Sequence, residues 1–384
     1  MMNMKKPIKI LFLIPNLGHG GAEKVLVNLV NHMNKDKFHI TVMALYDEGV
    51  NKEFLSKDVR YKACFGKSFK GVSQILKIVS PSRLYTWLIK EKYDIVVSYL
   101  EGQTARIISG CRDLKIKKVS WIHVEQHTLQ RAAHCFRSEE EMKQCYLSFD
   151  KTVCVSDYVR KDFCSLVPVK NADVLYNTIE SEKIIRLSEE SVEKSVFPEN
   201  EIKICGIGTL KKSKGFDRLL RIHYKLYQEG YPIHTYILGE GEERKSLEKY
   251  VREKNLNETV TFLGYQTNPY KYLKRCDIFV CTSFAEGFST AATEALIVGR
   301  PVCTVEVSGM KEMLGENNEY GIVTENDEEA LYLGIKSLLD NPELFDYYTK
   351  QAEKRGKTFN TEITVKAVED MFYSLFYQNN KNIG

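Results

Sequence analysis

The chain has no Cys-x-x-Cys pair, no Asp-x-Asp, and no apolar run near the roughly 18 to 20 residues that a membrane-spanning helix needs. Each absence removes a class of protein. Its ten cysteines show no Cys/His spacing of zinc type and sit inside apolar segments, Cys154, Cys205, Cys281 and Cys303 among them. They read as reduced core residues of a cytoplasmic protein rather than a disulfide framework. A net charge of +4 is too mild to mark a nucleic-acid binder. With only 9 prolines and no low-complexity tract, nothing reads as a disordered linker. Lys5 and Lys6 precede an apolar stretch, but Lys9 interrupts it and Pro15 ends it, so Met1 to Leu17 reads as a buried first strand rather than a signal peptide.

What is present is length and rhythm. A chain of 384 residues exceeds what one core usually holds, so two domains are expected. Short apolar runs alternate with helical stretches: Ile8 to Ile14, His39 to Leu45, Asp94 to Ser98, Lys118 to Ile122 and Thr152 to Val155. After Asn177 the rhythm restarts with Ile202 to Ile207, Ile233 to Leu238, Thr259 to Leu263, Ile278 to Cys281, Pro301 to Thr304 and Gly321 to Val323. Near-continuous apolar strands separated by helices predict parallel sheets covered on both faces. Two doubly wound α/β domains follow, with the boundary between Tyr176 and Ile202, where the charged stretch Ser181 to Asn200 contains Pro198. Ligands of such sheets bind beyond the carboxyl ends of the strands, so facing domains predict one deep cleft between them.

Three segments carry candidate chemistry. The first strand leads into Gly18, His19, Gly20, Gly21 and Glu23, ahead of a helix. Glycines there let backbone N–H groups approach a ligand, although the segment lacks the third glycine of a dinucleotide fingerprint and the Lys-Ser/Thr of a P-loop, and a plain tight turn fits it as well. The second domain opens with Gly206, Gly208, Thr209, Lys211, Lys212, Lys214 and Gly215 between a strand and a helix. Lysines at that place can neutralise a diphosphate, or simply be solvated. The sharpest segment is Phe284 to Ala295, directly after the strand ending at Cys281. It sets Glu286 in a loop, a helix starting near Phe288, and Glu294 more than one turn inside that helix among small apolar neighbours, where a carboxylate needs a partner. One carboxylate could hold a ribose and the other a hexose, with the helix N-terminus aimed at phosphates between them; a solvent-facing glutamate is the other reading.

Glu286 and Glu294 are separated by seven residues, and this Glu-x7-Glu pattern resembles that of retaining glycosyltransferases of family 4, which have the GT-B fold. The likeness runs along nearly the whole chain: Gly20-Gly21-Ala22-Glu23, Val155-Ser156-Asp157, Leu175-Tyr176-Asn177, Lys214-Gly215-Phe216-Asp217, Gly239-Glu240-Gly241, Gly264-Tyr265, Gly299-Arg300-Pro301-Val302 and Gly309-Met310-Lys311-Glu312 fall in order. The resemblance implies an N-terminal acceptor-binding domain over 1–178, a nucleotide-sugar-binding domain over 179–360, and a C-terminal helix in 361–384 returning to the first domain. It implies that Glu286 contacts the donor sugar and Glu294 the ribose. Gly287, Phe288, Ser289 and Thr290 then offer backbone amides to the sugar and diphosphate, Lys214 binds the diphosphate, and His123 reaches the sugar near the reaction centre. Gly20 and Gly21 are placed under the phosphates or the acceptor. The resemblance departs at Thr209, where family members usually carry Arg: either Lys211 or Lys212 substitutes, or the transition-state charge is less well neutralised.

The function so implied is transfer of a hexose or N-acetylhexosamine, with retention, from a UDP-linked donor to a lipid-linked or saccharide acceptor in bacterial polysaccharide or lipopolysaccharide synthesis. No cofactor and no metal are expected, since nothing in the chain offers a metal-bridging Asp-x-Asp. A GT-B sugar-nucleotide epimerase and a non-catalytic nucleotide-sugar binding protein are the alternatives; a glycosidase fits less well, because its two carboxylates flank one bond. Between Lys67 and Lys92, Lys67, Lys70, Lys77, Arg83, Lys90 and Lys92 face the single acid Glu91, beside Phe69, Tyr85 and Trp87. That composition suits peripheral contact with the anionic inner face of the cell membrane, while Ile75, Leu76, Val79, Leu84 and Leu88 suit packing on the sheet.

Overall fold

The computed structural model describes residues 6–377 except 19, 69–70, 194–196, 198–199 and 308. His19, Phe69, Lys70 and Pro198, and the side chain of Ile75, therefore lie outside the described residues. The chain divides into two compact units, Met1–Thr178 with Thr361–Gly384, and Ile179–Asn360.

Seven strands build the sheet of the first unit: β1 (Ile8–Ile14), β2 (Phe38–Tyr46), β3 (Arg60–Phe65), β4 (Ile95–Ser98), β5 (Lys117–Ile122), β6 (Lys151–Cys154) and β7 (Ala172–Val174). They lie in the order β3-β2-β1-β4-β5-β6-β7 and every pair is parallel. The central strands are apolar and buried almost throughout, since helices cover both faces of such a sheet. The two edge strands differ. In β3 the residues Arg-Tyr-Lys-Ala-Cys-Phe are all half-buried or exposed, and β7 is three residues long. Neither has the continuous apolar run by which a strand is recognised, and both are absent from the strands expected from the sequence.

The second sheet holds β8 (Ile202–Ile207), β9 (Ile233–Leu238), β10 (Val260–Gly264), β11 (Ile278–Cys281), β12 (Val302–Val305) and β13 (Ile322–Thr324), ordered β10-β9-β8-β11-β12-β13 and again parallel. Its core joins Ile204, Ile237, Val280, Cys303 and Val305 to Leu219, Leu220 and Leu331 on the flanking helices. The stretch after Ile179 is helical over Ser181–Ser188. The last described helix, Thr361–Tyr377, packs in the first unit: Phe372 is fully buried and meets Phe12 edge to face at 5.8 Å.

In both sheets the order reverses direction at the first strand, β1 or β8, beside β4 or β11. Ligands of such sheets bind in the crevice at the carboxyl ends of the strands beside that switch point; Gly20 follows β1, Lys211, Lys212 and Lys214 follow β8, and Glu286 follows β11, while His123 follows β5 and Glu294 lies within a helix.

Candidate functional site

In the second unit, β8 ends at Ile207 and the chain runs through Thr209, Leu210, Lys211 and a single 3₁₀ turn, Lys212–Lys214, before the helix Phe216–Gln228. The turn is closed by Gly215, whose φ of +64° disfavours a side chain and whose missing Cβ would stand 2.2 Å from the carbonyl oxygen of Thr282. The loop after β8 is thereby pressed against the loop after β11. Two hydrogen bonds hold them together: the Thr282 hydroxyl donates to the Lys214 carbonyl at 2.8 Å, and the Phe284 N–H to the Ser213 carbonyl at 2.8 Å.

At the end of this junction Lys214 Nζ meets Glu286 Oε1 at 2.5 Å, and the Ser283 hydroxyl donates to the same oxygen at 2.6 Å. Both charged side chains are largely covered, at 25% and 12% exposure. Burial is the largest single influence on Lys214 and lowers its proton affinity; the Glu286 charge and hydrogen bond, together with Cys281, outweigh it, so the ammonium is held above its ordinary pKa. A carboxylate and an ammonium thus stand as a preformed pair 72 residues apart in sequence.

The helix that follows spans Thr290–Ile297, two residues later than expected, because the Ser289 side chain accepts from the Ala292 N–H and makes Ser289 the N-cap. Gly287, Phe288 and Ser289 are buried and Thr290 is half-buried. Against them lies Gly309 at φ +76°, where a Cβ would come within 2.6 Å of the Gly287 carbonyl. Glu294 is 3% exposed, and the buried Tyr270 hydroxyl lies 3.5 Å from its Oε1. Lys211 and Lys212 are exposed, and Thr209 is half-buried. The second unit therefore gathers Lys214, Glu286 and Ser283 at one point, with Glu294 held in the adjoining helix.

In the first unit, the helix Gly21–His32 starts from Gly20 as N-cap without a side-chain cap bond. His123 follows β5 and is 6% exposed. Its backbone N–H and that of Val124 both donate to Glu101 Oε1, at 2.5 and 2.8 Å, tying the loop after β5 to the loop after β4. Burial pushes the His123 imidazole down to about 3, against the opposing effect of the Tyr99 carbonyl, so the ring is neutral at physiological pH. Its ring centroid lies 4.8 Å from that of Tyr99, which lies 5.0 Å from Trp121. Among the described residues, His123 Nε2, the Tyr99 hydroxyl and Trp121 Nε1 are buried without a hydrogen-bond partner. A buried polar atom left alone costs free energy on the order of 1 to 3 kcal/mol, so this cluster has capacity to bind.

Sequence reasoning passed over Ser283, Arg218, Tyr99 and Trp121. The first two lie one residue outside the motifs, Ser283 just before Phe284 and Arg218 just after Asp217, and the last two look like ordinary core aromatics. Among the described residues Glu125, His127 and Asp162 form a group capable of holding a metal. In this group the imidazole Nδ1 lies 3.6 Å from Asp162 Oδ1 and Nε2 3.8 Å from Glu125 Oε2.

Two family models match in tandem: "Glycosyltransferase Family 4" over residues 19–183 and "Glycosyl transferases group 1" over 188–355. One relative, from Campylobacter jejuni, is 26% identical over 369 residues, 92% of this chain and 96% of its own length. It is an N-acetylgalactosamine-N,N'-diacetylbacillosaminyl-diphospho-undecaprenol 4-alpha-N-acetylgalactosaminyltransferase. A lipopolysaccharide core biosynthesis glycosyltransferase of Rhizobium meliloti is 23% identical, over 93% of this chain and 95% of its own. Among solved structures, Anabaena HepE in complex with UDP superposes with a TM-score of 0.76 at 18% identity, covering 96% of this chain and 100% of the other. Sucrose-phosphate synthase from Thermosynechococcus elongatus does so with 0.78 at 16% identity, over 96% and 100%. The tandem matches, the relatives that align over nearly their full length, and the two Rossmann-like sheets agree: the chain belongs to glycosyltransferase family 4 and has the GT-B fold.

Proposed function

We propose that the protein transfers a hexose or N-acetylhexosamine, with retention of configuration, from a UDP-sugar to a lipid-linked or saccharide acceptor of bacterial polysaccharide or lipopolysaccharide. The observation that carries this reading is the Lys214–Glu286 pair beside the N-terminus of the helix bearing Glu294. It sets a cation for the diphosphate, a carboxylate for the sugar and a buried carboxylate for the ribose on two abutting loops. The relatives' names add support: one acts on a diphospho-undecaprenol saccharide and another in lipopolysaccharide core synthesis.

As the bond between the anomeric carbon and the diphosphate oxygen breaks, positive charge grows on the sugar and negative charge on the departing UDP. Lys214, with Lys211 or Lys212, and the backbone N–H groups of 287–290 stabilise that leaving group without reorganisation. Glu286 holds the sugar hydroxyls, Glu294 the ribose hydroxyls, and His123 offers a neutral imidazole to the sugar. Gly20 and Gly21 leave the backbone open to phosphate or acceptor. The acceptor hydroxyl attacks the face the diphosphate leaves, and its proton passes to the departing phosphate oxygen, so no side-chain base and no metal are required.

The test is a transfer assay with UDP-glucose, UDP-N-acetylglucosamine and UDP-N-acetylgalactosamine on undecaprenyl-diphosphate saccharides, with and without EDTA. Transfer that survives EDTA is expected; activity restored only by magnesium or manganese overturns the metal-independent mechanism. Hydrolysis or epimerisation without any transfer overturns the function itself.

The acceptor side is proposed to rest on an anionic membrane. Among the described residues no helix is long and apolar enough to cross one. The helices Val72–Ile78 and Pro81–Leu88 bury Leu76 and Leu84 yet leave Ile78 and Trp87 exposed at 78% and 55%, among the exposed Lys67, Arg83, Lys90 and Lys92. Arg106, itself buried, fixes the corner between them by donating to the carbonyls of Leu76, Lys77 and Val79. Flotation on strongly anionic vesicles at low salt, lost when Lys77 and Arg83 become Glu, is the expected result; failure of the unaltered protein to float places the acceptor in solution.

A further inference from the structure

Arg218 stands in the first turn of the helix Phe216–Gln228 and is 2% exposed. An arginine so deeply covered ordinarily finds a carboxylate. The acids acting most strongly on its charge are Asp217 and Glu328, yet both are ion-paired to Arg221, at 2.9 and 2.8 Å. Arg218 instead gives its two terminal nitrogens to neutral oxygens, and its Nε is buried without a partner among the described residues. Nη2 donates to the Thr282 carbonyl at 2.5 Å and Nη1 to Asn326 Oδ1 at 2.9 Å, while the guanidinium carbon lies 4.2 Å from the centroid of the Phe284 ring.

Thr282 and Phe284 flank Ser283, whose hydroxyl donates to Glu286. The same two residues bond the backbone of Ser213 and Lys214, and the Thr282 carbonyl that Arg218 grips is the one against which Gly215 is pressed. The guanidinium therefore sits at the node where the loop carrying Lys214 and the loop carrying Glu286 are joined. To the Thr282 hydroxyl bond and the main-chain bond across that junction, a planar cation bonded on one side and stacked on the other adds a tie that fixes its angle.

We propose that Arg218 is a positioning residue for glycosyl transfer, locking the 282–284 backbone so that Glu286 and Lys214 present their charges to the donor in one geometry. The inference rests on the reading of Glu286 and Lys214 as donor-binding residues.

Steady-state kinetics and thermal unfolding of Arg218→Met, Arg218→Lys and Glu286→Gln, with active protein counted by UDP binding, test it. A displacement on the order of 1 Å at the reacting groups costs about 100-fold in rate, so Arg218→Met is expected to lose kcat on that scale while the donor KM moves less than about threefold. Arg218→Lys, which keeps the positive charge at that node, should recover much of the loss. A merely structural arginine would lower the folded fraction and leave kcat per UDP-binding molecule unchanged, and that result overturns the proposal. If Arg218→Met does not fold, Asn326→Ala and Phe284→Leu remove partners of Arg218 and take its place: a selective loss of kcat supports the role, and wild-type kcat in both overturns it. Glu286→Gln keeps the two ideas apart. Full turnover in that variant removes the site reading beneath the inference; loss there with intact Arg218 variants removes the inference alone.

Discussion

Each unit buries a histidine whose proton affinity burial pushes down to about 3, and the two are held in opposite ways. In the second unit, His223 has both ring nitrogens within hydrogen-bond distance of hydroxyls, Thr235 at 2.8 Å and Thr259 at 3.0 Å, so it is a finished piece of core. In the first unit, His123 keeps Nε2 buried and unpartnered beside Tyr99 and Trp121, at the end of the strands where ligands bind. The same contrast, reversed, holds for charge. The second unit pairs Lys214 with Glu286 before any donor arrives, while the first presents a neutral ring with an unused nitrogen. Two sheets of one topology therefore prepare differently: one stores charges in mutual balance, the other stores an unmade hydrogen bond.

The largest effect expected on that contrast comes from Glu286→Gln. It removes the charge shared between Lys214 and the sugar, an interaction worth ~1.5 to 3 kcal/mol, and turnover should fall about 10- to 100-fold. Free UDP should bind as well as before or better, because Lys214 is released from its partner; equal loss with UDP and UDP-sugar in calorimetry would argue that Glu286 never touches the sugar. Glu294→Ala should act the other way, weakening UDP itself by a similar ~1.5 to 3 kcal/mol with the fold retained. Unchanged UDP affinity sinks the ribose role.

The smallest effects concern the histidines. Because the folded pKa of each lies below its ordinary 6.5, the unfolded chain takes up the proton first as pH falls. The stability each neutral ring contributes is complete above about pH 7 and is lost as pH drops from 6.5 towards 3, on the order of 2 kcal/mol per ring by pH 5. Denaturant unfolding at pH 7.5 and pH 5 should show a reduced slope for both His123→Gln and His223→Gln. Only His123→Gln should also lower turnover at pH 7.5, and parallel behaviour in both assays would erase the distinction between the two rings.

Most of this frame was legible in the sequence for a simple reason: a strand buried on both faces must be apolar throughout, as Ile8–Ile14 and Ile278–Cys281 are. Edge strands escape that rule. Arg60–Phe65 pairs on one side only and tolerates Arg60 and Lys62, both bonded to Glu91, so its composition reads as a loop. For the site, the sequence pointed to Glu286 and Lys214 through family resemblance but not to their meeting each other, because a contact across 72 residues depends on the sheet order that brings β8 beside β11. Arg218 was invisible because an arginine in the first turn of an amphipathic helix looks solvated until the Thr282 carbonyl and the Phe284 ring are seen to enclose it.

The helix Thr361–Tyr377 bears on how the protein is made. Phe372 fills a place against Phe12 in the first unit's core, yet it is synthesised only after all of Ile179–Asn360. The first unit thus leaves the ribosome with a gap in its apolar surface, worth ~1.5 to 3 kcal/mol for the phenylalanine alone, and waits for a segment separated from it by a whole second unit. During synthesis the nascent chain is expected to need a chaperone over that gap, and a chain ending at Asn360 should lose stability in its first unit while its second is unaffected.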